Sequence, residues 1–567
     1  MLVLKKIVTF CNFYALIKRM INFLNNLLDE KKAKYLLVNS TNEFLTEFND
    51  LEHNARYHLT GFKGSAGDVI YSKDKIWLLV DPRYHELAEL QVKNENIEIV
   101  KLSLSQSFFE GVKSIIKDKN DKILINPKKI SFNFFKLFSS YFENYEFLNN
   151  DPVLDFVKPQ NIDTSLPLSF VPKYISGLSA SQKINKLKKC LKSDVDALFI
   201  SNLADIAYFT NLRNYSQDYS SSFFARMLVF KNKSAILFTD FKLPDKTDFN
   251  EALTVLKQDD YINFLNNCDY IKNILINKNS INLFDYNFLN IKFDIKLDNF
   301  SSNLKAIKTN EEINHLKSAF NKTDKVMQKV QKLVNGEENI TEAQLFEFVE
   351  KEFKNEQSAT NLSFSPIVGF GSNSSIIHYS VADENCTLKD GDFVLLDTGG
   401  YFEGGYATDI TRTFCRNLPN EKQKEIYTFV LKAFLNVFFA KNVKNGYKLD
   451  KIARNILNEK KKEGFLFNHA LGHGVGVNVH EMPPSISKSK FSKRKLKPNM
   501  VFTIEPGLYK EKCFGVRLEN TVYTVKKGNK LKIKTLVKFP FEEKCIDFDL
   551  LSKDEKRLFR KYKRLTK

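Results

Sequence analysis

The stretch GDFVLLDTGGYFEGGYATDITRTF, residues 391–414, decides how this chain folds. It reads as an apolar strand ending at Asp397, a glycine-rich hairpin, and a return strand carrying Asp409. An antiparallel pair of this kind can bring both carboxylates to one place. Acids in close approach raise each other's pKa unless a cation lies between them. Taken alone, two aspartates in such a hairpin are more often turn formers, so the reading depends on what surrounds them.

Downstream, NHALGHGVGVNVHEMPP (468–484) places His469, His473 and His480 within twelve positions of a chain that has 8 histidines. The stretch follows the helical pattern KLDKIARNILNEKKK and is too broken by glycine to be one helix face, so the clustering favours a site. VFTIEPGLY (501–509) ends a strand with Glu505 just before a Pro-Gly turn. In GVRLEN (515–520), alternation puts Arg517 and Glu519 on one strand face and Val516 and Leu518 on the other. A charged pair on an inner face is costly without partners. Upstream, His378 lies in GSNSSIIHYS. Thr309 and Glu312 form a T-x-x-E capping box, Ile313, Leu316, Phe320, Met327, Val330 and Val334 follow at mostly helical spacing, and Asn335-Gly336 supplies the stop.

Nearer the N-terminus, YLLVNS, KIWLLVD and NIEIVKL are short β-branched runs separated by helix-like stretches, the alternation of an α/β domain. Prolines 152, 159, 167 and 172 mark a domain connection in which no period is sustained. The style then repeats with a basic amphipathic helix (SQKINKLKKCLKS), DALFISNLADIAYFTNL, and the strands FFARMLVF and KSAILFTD. Beyond Pro540 the tail ends in a basic run that reads as a surface helix.

At 567 residues the chain is long enough for three or four domains, and 43% apolar with 27% charged residues is a globular composition. No run of 18 apolar residues argues for a membrane span, so no membrane association is expected. The formal charge of +19 accompanies abundant Lys, Asn, Ile and Phe together and reads as compositional bias. KSKFSKRKLK (488–497) has one aromatic and reads as a solvated loop, so no nucleic-acid partner is expected. Seven scattered cysteines without a CxxC indicate neither a disulfide scaffold nor a thiolate zinc site, and a cytoplasmic compartment fits. Residues 1–19 resemble a signal peptide only faintly, since Thr9 and Asn12 interrupt the apolar stretch. They are expected to be a dispensable extension, with Met20 able to act as the start.

DTGGYFEGGYATDITRT, HALGHGVGVNVHE, TIEPGLY and GVRLEN resemble, in order, the metal-binding segments of the pita-bread metallopeptidases, which include aminopeptidase P, prolidase and methionine aminopeptidase. ARYHLTGFKGSAGDVIY, VDPRYHELA, NLADIAYFTNLR and PFEEKCIDFDLLSKDEKRLF resemble the cytosolic three-domain aminopeptidase P subfamily. The fold this implies is a multidomain α/β and α+β chain. Two creatinase-like α/β domains, 20–160 and 161–305, would precede a pita-bread catalytic domain with its tail, 306–567.

Carried over by position, the resemblance implies Asp397 on one metal ion, Asp409 and Glu519 bridging two, and His473 and Glu505 on the other. It implies that His378 and His480 face the substrate, and that His469 and Arg517 line the site for the residue after the scissile bond. One departure stands out: Asp397 and Asp409 are twelve apart where many members have eleven, and a bulge or turn must absorb the extra residue. Four carboxylates and an imidazole form a hard donor set suited to Mn²⁺, Fe²⁺ or Co²⁺, with Mn²⁺ the first expectation. The implied mechanism uses a metal-bridging hydroxide as nucleophile, His480 or His378 as donor to the developing oxyanion, and Glu505 as proton shuttle.

The expectation is a dimetal Xaa-Pro aminopeptidase acting on peptides with proline second, cytoplasmic and homodimeric. Prolidase or another aminopeptidase on the same fold is the same-class alternative. A non-catalytic binding relative is the other, and such relatives have usually lost ligands, whereas all five candidates stand here.

Overall fold

The computed structural model describes residues 17–441 and 443–566. Most of the expected 1–19 extension therefore lies outside the described residues. From residue 17 to residue 30 the chain is helical, with Met20, Leu24 and Leu28 buried at four-residue spacing.

The described chain gathers into two compact units. One holds the residues up to Asp163 with Ser193–Asn202 and Asp260–Asp298; the other holds Thr164–Lys192, Leu203–Asp259 and the residues from Asn299 on. In the first unit a six-stranded sheet has the order Ile97–Lys101, Ile76–Val80, Asp68–Tyr71, Tyr35–Val38, Ile123–Ile125, Tyr145–Phe147. The strands read from the apolar runs are all present. The middle ones pair antiparallel and the outer ones parallel. Leu37, Ile70, Leu79 and Ile125 pack against Val112, Phe138 and Phe142, each fully buried side chain contributing about 1.5–3 kcal/mol.

The proline-rich connection is not featureless, contrary to expectation. Asp151 accepts hydrogen bonds from the amides of Val153 and Leu154 and starts a helix over Pro152–Val157. Pro152 sits at the first helical position, where its missing N–H would be unsatisfied anyway.

The pattern of the first sheet recurs. Arg226–Phe230 and Ala235–Phe238 pair antiparallel and Leu253–Leu256 adds parallel, as do Asp68–Tyr71, Ile76–Val80 and Ile97–Lys101. In the first unit Ala197–Ile200, Asn273–Ile276 and Asp294–Leu297 run parallel.

In the second unit the capping box forms as read: the Thr309 side chain accepts from Glu312 N and the Glu312 carboxylate accepts from Thr309 N, opening the helix Asn310–Val334. A three-stranded antiparallel sheet joins Ile367–Phe370, Phe393–Thr398 and Ile410–Cys415. A five-stranded sheet has the order Glu481–Ile486, Gly472–Gly474, Val501–Ile504, Asn520–Lys527, Lys530–Thr535. Between them stands the hairpin Gly507–Lys510 with Phe514–Arg517. The helices Glu421–Phe438 and Gly446–Leu457 close the core around Phe434, Phe438, Leu449, Phe502 and Ile504.

The tail helix Lys553–Thr566 is more than a surface helix, because Phe559 and Tyr562 are buried on one face. Tyr562 stacks on Phe541, and its hydroxyl accepts from Asn520 Nδ2 at 2.6 Å. Buried Arg412 donates to the carbonyls of Glu519, Phe539 and Pro540 and to Asn520 Oδ1. Among the described residues, no helix is long and apolar enough to cross a membrane.

Candidate metal centre

Register places the first two acids. Asp397 pairs with Thr411 across the antiparallel strands, and Asp409 lies two residues before Thr411, so all three share one sheet face. Asp409 stands just ahead of the strand Ile410–Cys415 rather than on it. In the turn between the two acids Gly404 and Gly405 have φ of 88° and 63°, a region that only glycine enters freely.

His473 comes from the strand Gly472–Gly474. Its Nδ1 lies 3.1 Å from Gly474 O, which suits a donating Nδ1–H and leaves the Nε2 lone pair facing inward. That Nε2 is 3.5 Å from Asp409 Oδ2 and 3.4 Å from Glu505 Oε1. Glu505 follows the strand Val501–Ile504 and accepts from Thr503 Oγ1 at 3.2 Å. Glu519, between two strands, accepts from Thr411 Oγ1 at 2.7 Å. Ligand-capable atoms of Asp409, His473 and Glu519 lie within 4.8 Å of one another.

The donor set fits divalent cations. Burial, then Glu519, Asp397 and Glu505, push the Asp409 carboxyl well above its usual range; burial, then Glu505 and Asp397, do the same to Glu519. Burial pushes Glu505 up to about 7, with Asp397 adding to it and Arg517 and His480 opposing. Oδ1 of Asp397 is buried without a hydrogen-bond partner. Such a cluster gains its ionised form when positive charge enters.

The Arg517 guanidinium ties several of these elements together. Its Nη2 donates to Asp397 Oδ2 at 2.7 Å, its Nε to Thr411 Oγ1 at 3.1 Å, and its Nη1 to Tyr509 Oη at 2.9 Å and Ile377 O at 3.2 Å. His469 Nε2 lies 2.9 Å from the same Tyr509 hydroxyl, and its Nδ1 is 3.7 Å from Glu505 Oε2. The His480 ring stands edge-on to His473 with centroids 4.3 Å apart. His378 follows Ile377, the residue whose carbonyl Arg517 holds.

Tyr509 was visible in TIEPGLY but carries no role in the sequence reading. The hairpin register, Tyr509 opposite Gly515 and Gly507 opposite Arg517, is the signal that places it beside the arginine. A Cβ on Gly515 would strike both Ser374 O and the Tyr509 ring, so the tyrosine lies flat only over glycine. Also missed was a buried lock behind His480. Glu481 pairs with Lys305 at 2.8 Å and Lys308 at 3.4 Å, and accepts from Asn478 N at 3.1 Å.

Metallopeptidase family M24 matches residues 314–526, and the creatinase/prolidase N-terminal domain matches twice, at 20–157 and 158–312. The chain is 26% identical to Xaa-Pro aminopeptidase 1 of Dictyostelium discoideum over 584 residues, spanning 95% of this chain and 91% of that protein. It is 38% identical to the Xaa-Pro dipeptidase of Pyrococcus horikoshii over 248 residues, 43% of this chain and 68% of that protein. In fold it resembles the X-prolyl aminopeptidase of Caenorhabditis elegans, described as a cytosolic enzyme with a di-nuclear active site, with a TM-score of 0.88 at 22% identity over 97% of this chain and 95% of that one. The prolidase of Pyrococcus horikoshii gives 0.52 at 29% identity, over 64% of this chain and 98% of that one.

Proposed function

The chain belongs to metallopeptidase family M24, and from that premise we propose that it is a two-metal aminopeptidase releasing an N-terminal residue from peptides whose second residue is proline. The observation that carries the substrate class is coverage. The Xaa-Pro aminopeptidase of Dictyostelium aligns along 95% of the chain, whereas the Pyrococcus dipeptidase aligns with 43% of it.

In this reading Asp397, Asp409, His473, Glu505 and Glu519 would hold two divalent cations, with Mn²⁺ the first candidate for a hard oxygen-rich set. Cations held there would supply Lewis-acid polarisation and make a water easier to ionise near neutral pH. The chain's own groups do the rest. His480 or His378 donates to the oxygen on which negative charge develops. Glu505 carries a proton to the leaving nitrogen. His469 and Arg517 line the far side of the scissile bond. A bond before proline is a tertiary amide without an N–H, so the site must read the ring's shape.

The same reading divides the chain into domains at 20–160, 161–305 and 306–567, and has it act as a cytoplasmic homodimer. The experiment compares Xaa-Pro-Xaa, Xaa-Ala-Xaa and Xaa-Pro dipeptide with and without Mn²⁺. Cleavage confined to Xaa-Pro-Xaa supports the proposal. Preference for the dipeptide means prolidase, equal cleavage of the tripeptides a general aminopeptidase, and no cleavage with no bound metal a non-catalytic relative.

A further inference from the structure

A second carboxylate system lies apart from the metal-binding acids. Glu342, at the first turn of the helix Glu342–Asn355, is 0% exposed. Its Oε1 accepts from Phe370 N at 2.7 Å and Asn373 Nδ2 at 3.1 Å. Its Oε2 accepts from Tyr379 Oη at 2.8 Å and Asp383 N at 3.1 Å. Asn373 Nδ2 also reaches Tyr379 Oη at 3.1 Å. Phe370, Asn373, Tyr379 and Asp383 donate as neutral groups, the Cys386 thiol is a further hydrogen-bond partner, and all of them come from one segment, residues 370–386.

That segment carries His378. One neighbour, Tyr379, is tied to Glu342, while the other, Ile377, is held through its carbonyl by Arg517. Ser374 in the same loop accepts from Gly515 N at 2.9 Å. A buried carboxylate is an expensive way to stabilise a helix start. Donors gathered from scattered elements would mark a general structural post; donors gathered from one loop mark a device that sets that loop.

We propose that Glu342 is a positioning residue that fixes the His378 loop between the Glu342 helix and the Arg517 hairpin, so that His378 meets the substrate in one pose. This rests on the reading of His378 as substrate-facing. The geometry also says which substitution breaks it. Each carboxylate oxygen faces two of these donors, so the amide of Glu342→Gln must point its NH₂ at one pair: it then loses both bonds to Phe370 N and Asn373 Nδ2, or the bond to Asp383 N while the Tyr379 hydroxyl has to reverse and accept.

The test uses the full chain loaded with Mn²⁺ and an Xaa-Pro-Xaa peptide. Glu342→Gln should lower kcat by about 10–10²-fold with KM and bound Mn²⁺ unchanged, and Tyr379→Phe, which removes one bond, should lower it less. In a His378→Ala background the Glu342→Gln change should have no further effect, because its action runs through His378. An undiminished loss in that background, or a fall in Tm with kcat intact, overturns the proposal. Should Glu342→Gln fail to fold, Tyr379→Phe and Asn373→Ala enter the same cycle. A second readout does not need turnover: with ¹³C-labelled histidine, the His378 ring resonance, identified by its loss in His378→Ala, should move in Glu342→Gln and in Tyr379→Phe. A resonance that stays put overturns the positioning role. A wild-type chain that cleaves no Xaa-Pro peptide overturns the functional reading instead, and leaves the resonance test standing.

Discussion

Arg517 Nη2 donates to Asp397 Oδ2 at 2.7 Å across 120 residues of sequence, while Asp397 Oδ1 is buried with no hydrogen-bond partner. One oxygen is thus fixed by the protein and the other is buried with its lone pairs uncommitted. Arg517 stands outside the candidate ligand set, and this contact makes it the orienting partner of one member.

Arg517→Lys keeps the charge but loses the planar fork that reaches Asp397, Thr411, Tyr509 and Ile377 together. Mn²⁺ affinity or turnover should fall about 10–100-fold. Calorimetric Mn²⁺ titration alongside kcat checks this, and wild-type values for both would refute it.

The metal-free chain should become less stable as pH rises. Glu505 is held up to about 7 by burial, and Asp409 and Glu519 are displaced upward as well. A carboxyl whose folded pKa is raised favours folding in its protonated form. Its contribution is present below the ordinary carboxylate range and is lost as pH climbs through about 7. Tm after chelation should therefore fall between about pH 5 and 8, and added Mn²⁺ should raise Tm most at the alkaline end while releasing protons. A flat Tm in the chelated protein would contradict the coupling.

His473 and His480 stand 4.3 Å apart, centroid to centroid, yet should fail differently. His480→Ala should retain bound metal and lose about 10²–10³-fold in kcat if it donates to the oxyanion. His473→Ala should lose metal. Metal counting by mass spectrometry separates the two, and loss of metal in His480→Ala would reverse the assignment.

Glu481→Gln should destabilise the fold by up to about 3–5 kcal/mol, because Lys308 would remain buried without a carboxylate and Lys305 would keep only Asp205 at 3.5 Å. Burial alone would raise the Glu481 carboxyl, but Lys305 and Lys308 outweigh it and hold it down to about 2. Its stabilisation is present above the ordinary carboxylate range and disappears as pH falls towards about 2. Urea unfolding at neutral pH measures the loss; a change under 1 kcal/mol would mean the lysines find other partners.

What the sequence made legible was local. The capping box at Thr309 and Glu312, the strands around Asp397 and Glu505, and the crowding of histidines are patterns within a dozen residues, and folding leaves them where the pattern put them. The partners that finish the site are distant. Arg517 with Asp397, Glu342 with Tyr379 and Lys305 with Glu481 join residues whose types look ordinary in their own segments. The helix Pro152–Val157 was missed for the opposite reason: a cluster of prolines outweighed the Asp-Pro pair that starts a helix. The tail helix read as surface because its net charge hid the two aromatics on its inner face.

The clamp of Arg412 on Glu519 O, Phe539 O and Pro540 O, with Asn520 tied to Tyr562, also bears on the order in which a ribosome delivers the site. Asp397 emerges early, but the backing that steadies Glu519 is made only after Tyr562 has been translated. At typical elongation rates the wait is on the order of ten seconds or more. For most of it Glu505 and Glu519 have not yet been made, so the candidate donor set is incomplete. The full set of candidate donors with its backing therefore exists only after this region has been synthesised.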